Sequence, residues 1–426
     1  MKEDSFMDSL FKTLRDEFQD KIQTLMGAGV QREVHFRNVP NKINVAMGMR
    51  RTGKTYFVLQ TILDLMKTTP LSKILYINFE DERLLPAKSQ TLSTLLEAFY
   101  SLYPENHNHL CYLFLDEIQL VEDWPIVVRR FFDTKKVKIF LTGSSAKLLS
   151  KEIATSLRGR SIAIEIWPFN INEYLQAKNH DIIPEGILGK KDLDKFQEQL
   201  KIYIEEGGFP ETTALEFEDR IQILQDYVSV VIMRDIIERH GITNVTLIRY
   251  LAKLLIKNAG SLFSVNKLYN DLKSQGFSVG KTTLYEYLEY MEDAYLVFSV
   301  PLYSESLRKV QTNPKKFYAI DTGLVRAYTL GMTQNIGHHF ENLIYLDLRR
   351  KGHKIHYYLT ESRREVDFLS LDRKGKWHLY QVAWDISDRD TQEREILALE
   401  EAEKELGVKG KLITPEYYLT SFLKED

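Results

Sequence analysis

The chain has almost no cysteine and no long apolar segment. Cys111 is its one cysteine among 426 residues, which excludes an internal disulfide and is typical of a reducing compartment. No apolar run approaches the roughly 20 residues that a membrane-spanning helix needs, and the mixed charges of the N-terminus are atypical of a secretory signal. The net charge of −3 gives no overall attraction to nucleic acid, so any basic surface must be local. These absences predict a cytoplasmic globular protein with no membrane segment.

Short apolar runs that alternate with helical stretches predict an α/β fold. The runs lack the alternation of polar and apolar residues that a half-solvated strand shows, so they are expected to be buried on both faces. They are INVAM (43–47), KILYINF (73–79), CYLFLD (111–116), KVKIFLT (136–142) and SIAIEIW (161–167). The sequence therefore predicts a parallel five-stranded sheet covered by helices on both sides.

The chain divides into five regions of different pattern. The pattern of residues 1–36 predicts one or two helices, and residues 37–168 contain the five predicted strands. Residues 169–258 are mostly helical apart from the turn GGFP at 207–210, and residues 259–332 predict a small helical module followed by a strand. Residues 333–426 return to a mixed α and β pattern. A chain of this length has room for several domains of ordinary size.

A glycine-rich motif follows the first predicted strand. The pattern G-x-x-x-x-G-K-[ST] is matched at every position, and the predicted nucleotide-binding residues are Gly48, Met49, Arg50, Arg51, Thr52, Gly53, Lys54, Thr55 and the following Tyr56. The glycines let successive N–H groups face the phosphates of a nucleotide at the positive end of the next helix. Lys54 would reach the β- and γ-phosphates, and the Thr55 hydroxyl would coordinate Mg²⁺. The alternative is a fortuitous glycine-rich turn, against which the flanking strand and helix argue.

An acidic pair ends the third predicted strand. Asp116 and Glu117 follow a run of apolar residues, Leu113-Phe114-Leu115. Asp116 would hold Mg²⁺ through water, and Glu117 would polarise the water that attacks the nucleotide. Many buried strands end in an acid, so the pair alone is weak evidence. The one strand between it and the glycine-rich motif is typical of P-loop ATPases with an inserted strand.

Two later segments offer groups that would complete such a site. Thr142 and Ser144 end the fourth strand, where small polar groups can sense a γ-phosphate, although a turn rich in Gly and Ser is an equal alternative. Arg158 and Arg160 precede the fifth strand. An arginine there can neutralise transition-state charge on a nucleotide held by a neighbouring subunit. A solvated basic turn is the alternative, and the functional interpretation predicts an oligomer.

The segments GMRRTGKT, LFLDEIQ, LTGSSAKLLSKEIATSLRGRS and WPFNINEYL resemble the AAA+ superfamily. Together with EGGFPE, FYAIDTGL, FENLIYLDLRR and EVDFLS, they resemble a group of prokaryotic ATPases that end in a restriction-nuclease-like domain. The resemblance covers about residues 30–426. It implies an AAA+-type P-loop domain at 37–168, a helical lid at 169–258, a winged helix at 259–332 and a nuclease-like fold at 333–426.

Residues 262–300 are a candidate DNA-binding module. A helix near residues 265–274 and a second helix from about residue 280 predict a helix-turn-helix, with the strand AYLVFSVPLY as a wing. The predicted DNA contacts on the second helix are Lys281, Thr282, Thr283 and Tyr285, with Tyr287 on the same face. A single lysine gives this helix only a weak attraction for DNA phosphates. The alternative role of the module is packing or oligomerisation.

The C-terminal region departs from the nuclease pattern that the resemblance implies. Glu341 would be the helix acid and Asp367 the first strand acid. Gln381 stands where the second strand acid is expected, and Ala383 stands where the lysine is expected; Lys376 is a remote candidate for a migrated lysine. Since Gln supplies no charged metal ligand and Ala does nothing for water, we expect a degenerate site that serves recognition or assembly.

Three functions remain open from the sequence. The first is an oligomeric ATP-driven machine that acts on DNA, with ATP and Mg²⁺ as ligands. The second is a nucleotide-switched regulator that binds a protein partner, and the third is an ATP-dependent nuclease. Histidine pairs such as His107 and His109 lack the spacing and acidic ligands of a zinc site.

Overall fold

The computed structural model describes the backbone of residues 2–25, 29–144, 157, 159–184, 186–330, 335–387 and 389–425. The chain forms two compact units, Met1–Ile166 and Trp167–Asp426. Across the described residues, every helix is too short or too polar to cross a membrane.

A parallel sheet forms the centre of the first unit. The strands of this unit are β1 (Ile43–Met47), β2 (Ile74–Asn78), β3 (Ala87–Lys88), β4 (Cys111–Asp116), β5 (Val121–Glu122), β6 (Val137–Gly143) and β7 (Ser161–Glu165). Five of them form one sheet in the order β2-β4-β6-β1-β7, and every pair in it is parallel. The predicted five-stranded parallel sheet is confirmed, and β6 is the strand inserted between β1 and β4.

Helices cover this sheet and fill its core. They are α1 (Lys2–Leu25), α2 (Lys54–Met66), α3 (Ser89–Leu102) and α4 (Trp124–Thr134). Phe18 of α1 and Phe57 of α2 pack in one cluster with Phe114 and Phe140, whose rings stack at 4.4 Å between centroids. Burial of such rings contributes roughly 2 kcal/mol each, so α2 is held firmly behind the glycine-rich loop from which it begins.

The second unit starts with helices. They are α5 (Ile171–Ala177), α6 (Lys190–Glu206), α7 (Phe217–Val230), a π-helical continuation (Val231–Glu238) and α8 (Val245–Lys257). The GGFP turn ends α6 because Gly207 has a φ of 79°, and a Cβ there would lie 2.1 Å from Asp321 Oδ1. Asp321 accepts a hydrogen bond of 2.6 Å from the Gly208 N–H, which fixes the turn.

A three-stranded antiparallel sheet with a helix pair follows. Its elements are β8 (Leu262–Phe263), α9 (Val265–Ser274), α10 (Lys281–Asp293), β9 (Val297–Val300), α11 (Leu307–Thr312) and β10 (Lys315–Ala319). The sheet order is β8-β10-β9. The strand expected from residue 294 to 303 is only four residues long, because Tyr295 adopts a left-handed φ of 59° that ends the preceding turn.

The chain ends in a mixed sheet packed between helices. The elements are α12 (Thr322–Tyr328), α13 (Ile336–Arg350), β11 (Lys354–Leu359), β12 (Glu365–Leu371), β13 (Trp377–Val382), α14 (Arg389–Leu406), β14 (Gly410–Ile413) and α15 (Pro415–Thr420). β11, β12 and β13 are antiparallel in turn, and β14 is parallel to β13. Ten of the fifteen residues of α13 are buried, so the polar residues among them must find partners inside the unit.

Candidate functional site

The glycine-rich loop lies at the carboxyl end of β1 and is shaped by close backbone contacts. A Cβ on Gly48 would lie 2.2 Å from the Ile166 carbonyl oxygen, so only glycine fits there. Gly53 has a φ of 92° and Arg51 a φ of 69°, both in the left-handed region. The Thr52 hydroxyl donates to the Met49 carbonyl at 2.9 Å. The loop is thus a fixed turn that leads directly into α2.

Lys54, the first residue of α2, is buried beneath this loop. Its Nζ donates to the carbonyl oxygens of Gly48 at 3.1 Å and Met49 at 3.2 Å, and it lies 3.4 Å from Glu117 Oε1. The structure therefore brings together the lysine of the glycine-rich motif and the acid that directly follows β4, as the sequence predicts for a nucleotide site.

Asp116, at the end of β4, is held by three hydroxyl groups. Tyr76 donates to its Oδ2 at 2.9 Å, Thr142 donates to its Oδ1, and Thr55 forms a further hydrogen bond. Burial and the neighbouring Glu117 raise the pKa of Asp116, whereas the three hydroxyl groups act to lower it. Asp116 and Thr55 are consequently adjacent, with hard oxygen atoms facing the same point.

Glu117 is positioned by a left-handed backbone. Its φ is 51°, and its N–H donates to Thr142 Oγ1 at 2.9 Å. Burial acts to raise the pKa of Glu117, but the charge of Lys54, the Gln119 hydrogen bond and Arg50 outweigh it, so the net pKa is lowered. The side chain is a buried carboxylate, ionised at neutral pH.

The remaining predicted site residues are placed unequally. Ser144 is buried and lies 3.4 Å from Gln119 Nε2, beside Glu117. Arg50 reaches outward to Glu80 at 2.8 Å. Arg160 is partly exposed and pairs with Asp133. Arg158 lies outside the described residues.

Sequence reasoning missed four side chains that support the loop. Arg32 donates from Nη1 to the Thr52 carbonyl at 3.0 Å, and Gln60 of α2 donates to the Val30 carbonyl at 2.6 Å. Tyr76 and Gln119 hold the two acids as described above. Gly29 lies so close to Tyr56 that a Cβ on Gly29 would overlap the Tyr56 hydroxyl oxygen. The segment that holds Gly29, Val30 and Arg32 therefore packs against the glycine-rich loop and the first half of α2.

A second lysine lies among carboxylates in the second unit. Lys316 Nζ is 2.8 Å from Glu341 Oε1, 2.9 Å from Asp367 Oδ1 and 2.6 Å from Glu365 Oε1. The Tyr318 hydroxyl also donates to Glu341 Oε1, at 2.7 Å. The acids Glu341 and Asp367, singled out in the sequence, thus come together, and the lysine that joins them is Lys316 of β10.

The other C-terminal candidates take different positions. Gln381 accepts a hydrogen bond of 3.2 Å from the Asp367 N–H and donates to Glu395, so it lies beside the cluster as an amide. Lys376 is exposed in the turn before β13, away from these acids. Among the described residues, no three His, Cys, Asp or Glu side chains form a group that could hold a metal ion.

The helix pair α9–α10 presents a mixed surface. Lys281 Nζ donates to Asn266 Oδ1 at 2.8 Å and lies 5.1 Å from the Tyr269 ring centroid. Thr282 and Tyr285 are exposed and Thr283 is half-buried. Tyr287, expected on the same face, is buried instead, because it lies on the side of α10 that packs inward with Leu284 and Leu288.

Residues 40–175 match the family described as "AAA domain". Residues 197–335 and 336–419 match two families described as domains of unknown function, DUF8612 and DUF4143. The glycine-rich loop and its lysine follow β1, and the acids Asp116 and Glu117 lie at the end of β4 in the same parallel sheet. The chain is an AAA-type P-loop ATPase, an ATP hydrolase.

Relatives extend over almost the whole chain. The chain is 38% identical over 393 residues to the "uncharacterized protein MJ1544" of Methanocaldococcus jannaschii, which covers 90% of this chain and 85% of the relative. A Haemophilus influenzae protein is 29% identical and covers 91% and 92%. The chain therefore belongs to the same family as MJ1544. Among solved structures, the Walker-type ATPase PABY2304 of Pyrococcus abyssi is similar at a TM-score of 0.44 and 14% identity, covering 70% of this chain and 97% of that one.

Proposed function

We propose that the chain hydrolyses ATP to ADP and phosphate in an Mg²⁺-dependent reaction at the Lys54–Asp116–Glu117 site, and that this turnover drives work on DNA in an oligomer. The observation that supports the hydrolysis is the convergence of Lys54, Glu117 and the Asp116–Thr142 pair around one point at the carboxyl edge of the sheet. A binding module would need the lysine and the loop, but not a buried, ionised glutamate beside them.

The residues present fit a magnesium ion. Thr55 and Asp116 offer one hydroxyl and one carboxylate that already share a hydrogen bond, and Mg²⁺ is usually held by one or two such groups together with substrate phosphates. When bound, the ion would neutralise charge on the β- and γ-phosphates.

Each side chain then has a distinct task. Lys54 would exchange its loop carbonyl partners for phosphate oxygens, which loosens its contact with Glu117. Glu117, whose pKa is lowered, would accept a proton from the attacking water. Thr142 forms hydrogen bonds with both the Asp116 carboxylate and the Glu117 backbone, so it would fix the position of the metal ligand relative to the base.

The substitution Glu117→Gln tests this assignment. The variant should bind ATP as the native chain does and hydrolyse it about 100- to 10,000-fold more slowly, since it lacks the general base. Glu122→Gln, an exposed acid 69% accessible on β5, is the matched control and should retain native turnover. Native turnover in Glu117→Gln would refute Glu117 as the base.

A shared site between subunits is the oligomeric part of the proposal. Arg160 forms a solvent-accessible ion pair with Asp133, and such pairs contribute little to stability, so Arg160 can exchange partners at low cost. If Arg158 or Arg160 acts on a neighbour's nucleotide, mixing a chain that carries Arg158→Ala or Arg160→Ala with a Lys54→Ala chain should restore some activity. Strictly additive loss would refute shared sites.

DNA is the proposed object of the ATPase, with a protein partner as the alternative. Single-stranded, duplex and branched DNA added to the ATPase assay should change turnover if the chain is a DNA-directed machine. No effect of any form would favour the nucleotide-switched regulator. The face of α10 offers one cation, Lys281, which is already bound to Asn266, so α10 by itself supplies little attraction for phosphate.

DNA cleavage is the function that the C-terminal cluster supports least. Glu341, Glu365 and Asp367 each bond to the ammonium of Lys316, a cation that takes no part in metal-activated hydrolysis while it is held there. We infer that this region binds or assembles rather than cuts. Plasmid cleavage with Mg²⁺ or Mn²⁺ that is abolished by Asp367→Ala would overturn the inference.

A further inference from the structure

The ATPase unit has a second concave surface, at the end of the sheet opposite to the P-loop. The groove has a volume of about 750 Å³ and is lined by residues that precede or begin β1, β4 and β6, and by the ends of α2 and α4. Asn44 of β1 lies four residues before Gly48, about 13 Å along the strand. The groove is therefore a separate feature from the nucleotide site; we name it the basic groove.

Among the residues that the structure describes, five cations line the basic groove and no acid does. They are Arg37, Lys42, Lys135, Lys136 and Lys138. Within the described ranges none of the five pairs with a carboxylate: Lys138 donates to Asn38 Oδ1 at 3.2 Å, Lys136 to the Asn108 carbonyl at 3.4 Å and Lys135 contacts His107 Nδ1 at 3.2 Å. In a chain of net charge −3, this concentration of uncompensated positive charge attracts a polyanion locally.

The floor of the basic groove is aromatic. Phe36, Tyr112 and Phe132 are partly exposed in it, above the buried Phe114 and Phe140. Tyr112 and Lys138 are register partners on neighbouring strands, so a ring and a cation lie side by side on one face of the sheet. Aromatic rings between cations suit the bases and phosphates of a single strand.

One buried polar atom in the basic groove lacks a partner. Asn44 is 6% exposed and lines the groove, and its Oδ1 accepts no hydrogen bond from any described residue. A buried acceptor without a hydrogen-bond donor destabilises the folded chain, so a ligand that supplies the donor gains affinity. A ligand that fills the groove and carries an N–H donor on a flat apolar ring would satisfy it. Nucleobases have such donors, whereas the carboxylates of an acidic peptide are acceptors only.

We propose that the basic groove binds single-stranded nucleic acid, with a base over the aromatic floor donating to Asn44 and the phosphates near the five cations. This proposal rests on the DNA-directed function. It adds that the bound nucleic acid is single-stranded and that the basic groove is the surface that binds it. Since every base carries a suitable N–H group, the site is expected to tolerate any sequence.

Fluorescence anisotropy of the full chain with a labelled mixed-sequence single-stranded DNA tests the proposal. The double substitution Lys136→Glu/Lys138→Glu should weaken binding at least about tenfold and reduce the magnitude of the slope of log Kd against log salt by about 1.4, for two lost phosphate contacts. Lys190→Glu/Lys191→Glu, the same charge change on exposed lysines of α6, is the control and should leave both quantities unchanged. Both variants should keep DNA-free ATPase turnover, which verifies folding.

The base contact has its own test. The native chain should bind the base-bearing strand more tightly than an abasic strand of the same length. Asn44→Leu should reduce that preference by about fivefold, the equivalent of one hydrogen bond. Equal binding of the two strands by the native chain would overturn the base contact.

Three results are distinguishable. If the native chain binds single-stranded DNA and the groove variants bind it equally well, the basic groove is refuted while the DNA-directed function stands. If the native chain binds no form of DNA, both proposals fail. If poly-glutamate displaces the DNA at lower concentration than unlabelled DNA does, the occupant is an acidic protein segment and the nucleic-acid proposal is wrong.

Discussion

In the described part of each unit one lysine is buried against acidic side chains, and the two clusters differ in the number of acids per lysine. In the ATPase unit, Lys54 contacts one carboxylate, Glu117, and two loop carbonyl groups. In the second unit, Lys316 contacts three carboxylates within 2.9 Å. One cation for one carboxylate leaves room for a phosphate to compete for the lysine. One cation for three carboxylates uses all three N–H donors of the lysine, and we call this fully paired arrangement the closed network.

The pKa values of Glu341 and Glu117, the glutamates beside the two lysines, shift in opposite directions. Burial and Asp367 raise the pKa of Glu341 to about 7, in spite of its hydrogen bonds from Lys316 and Tyr318. The pKa of Glu117 is lowered, because Lys54, Gln119 and Arg50 outweigh its burial. Glu117 in the ATPase unit is therefore an ionised base, whereas Glu341 in the second unit is partly protonated near pH 7. Charge count around the lysine, and not burial alone, decides which results.

The largest effect that separates the clusters is expected for Lys316→Ala. Removal of the ammonium leaves the buried Glu341 and Asp367 and the partly exposed Glu365 without a cation, which should lower the free energy of unfolding by about 3–5 kcal/mol. Urea denaturation measures it, with Lys315→Ala as the neighbouring control on β10. Mn²⁺ should bind the variant and restore part of the loss, since oxygen ligands would then be free. A variant as stable as the native chain would refute the closed network.

Lys54→Ala should act on function rather than on stability. The lysine is satisfied by only one carboxylate, and its loss should abolish ATP binding at ordinary concentrations and reduce turnover about 100- to 1,000-fold. Nucleotide binding and phosphate release measure the two effects, with Lys67→Ala, an exposed lysine just after α2, as the control. If Lys54→Ala lost much of its stability but still bound ATP, Lys54 would be a structural lysine like Lys316 and our distinction between them would be wrong.

A third effect depends on pH. The pKa of Glu341 is raised above its unfolded value, so its protonation stabilises the folded state at low pH, and that contribution is lost as pH rises through about 7. The stability advantage of the native chain over Glu341→Gln should therefore fall between about pH 5 and pH 8, by on the order of 2 kcal/mol. Urea midpoints across this range measure it.

Glu400→Gln, at an exposed position of α14, is the control for that experiment and should show no such trend. If the advantage grew with pH instead, Glu341 would be an ordinary ionised partner of Lys316.

The sequence predicted the ATPase unit better than the second cluster for a physical reason. The P-loop is a local motif, because one turn and one helix create the phosphate site, and the buried strands around it are recognisable from composition alone. Lys316 lies 25 residues before Glu341 and 51 before Asp367, on a strand of a different sheet. Only its position at the head of the apolar run Phe317–Ile320 indicated a lysine that would be buried.

Tyr76 and Gln119 show the same limit within the ATPase unit. Tyr76 precedes Asp116 by 40 residues and meets it only because β2 and β4 are neighbours in the sheet. Gln119 is near Glu117 in sequence, but its contact depends on the left-handed turn at Glu117. Strand order and an unusual φ are both consequences of the fold, so no motif contains them.

Tyr76→Phe is expected to have the smallest effect of the substitutions that test the difference between the Lys54 and Lys316 clusters. The Tyr76 hydroxyl donates to Asp116 Oδ2 at 2.9 Å, and it is one of three hydrogen bonds that lower the pKa of this buried acid. Loss of a single bond is worth about 1 kcal/mol, so turnover at saturating Mg²⁺ should fall by no more than about fivefold. The acid limb of the pH–rate profile should shift to higher pH, because Asp116 then binds its proton more readily. Tyr112→Phe, on the same strand pair, is the control. An unchanged acid limb would mean that Asp116 does not need to be ionised for turnover, and the ATPase cluster would then differ less from the closed network than we infer.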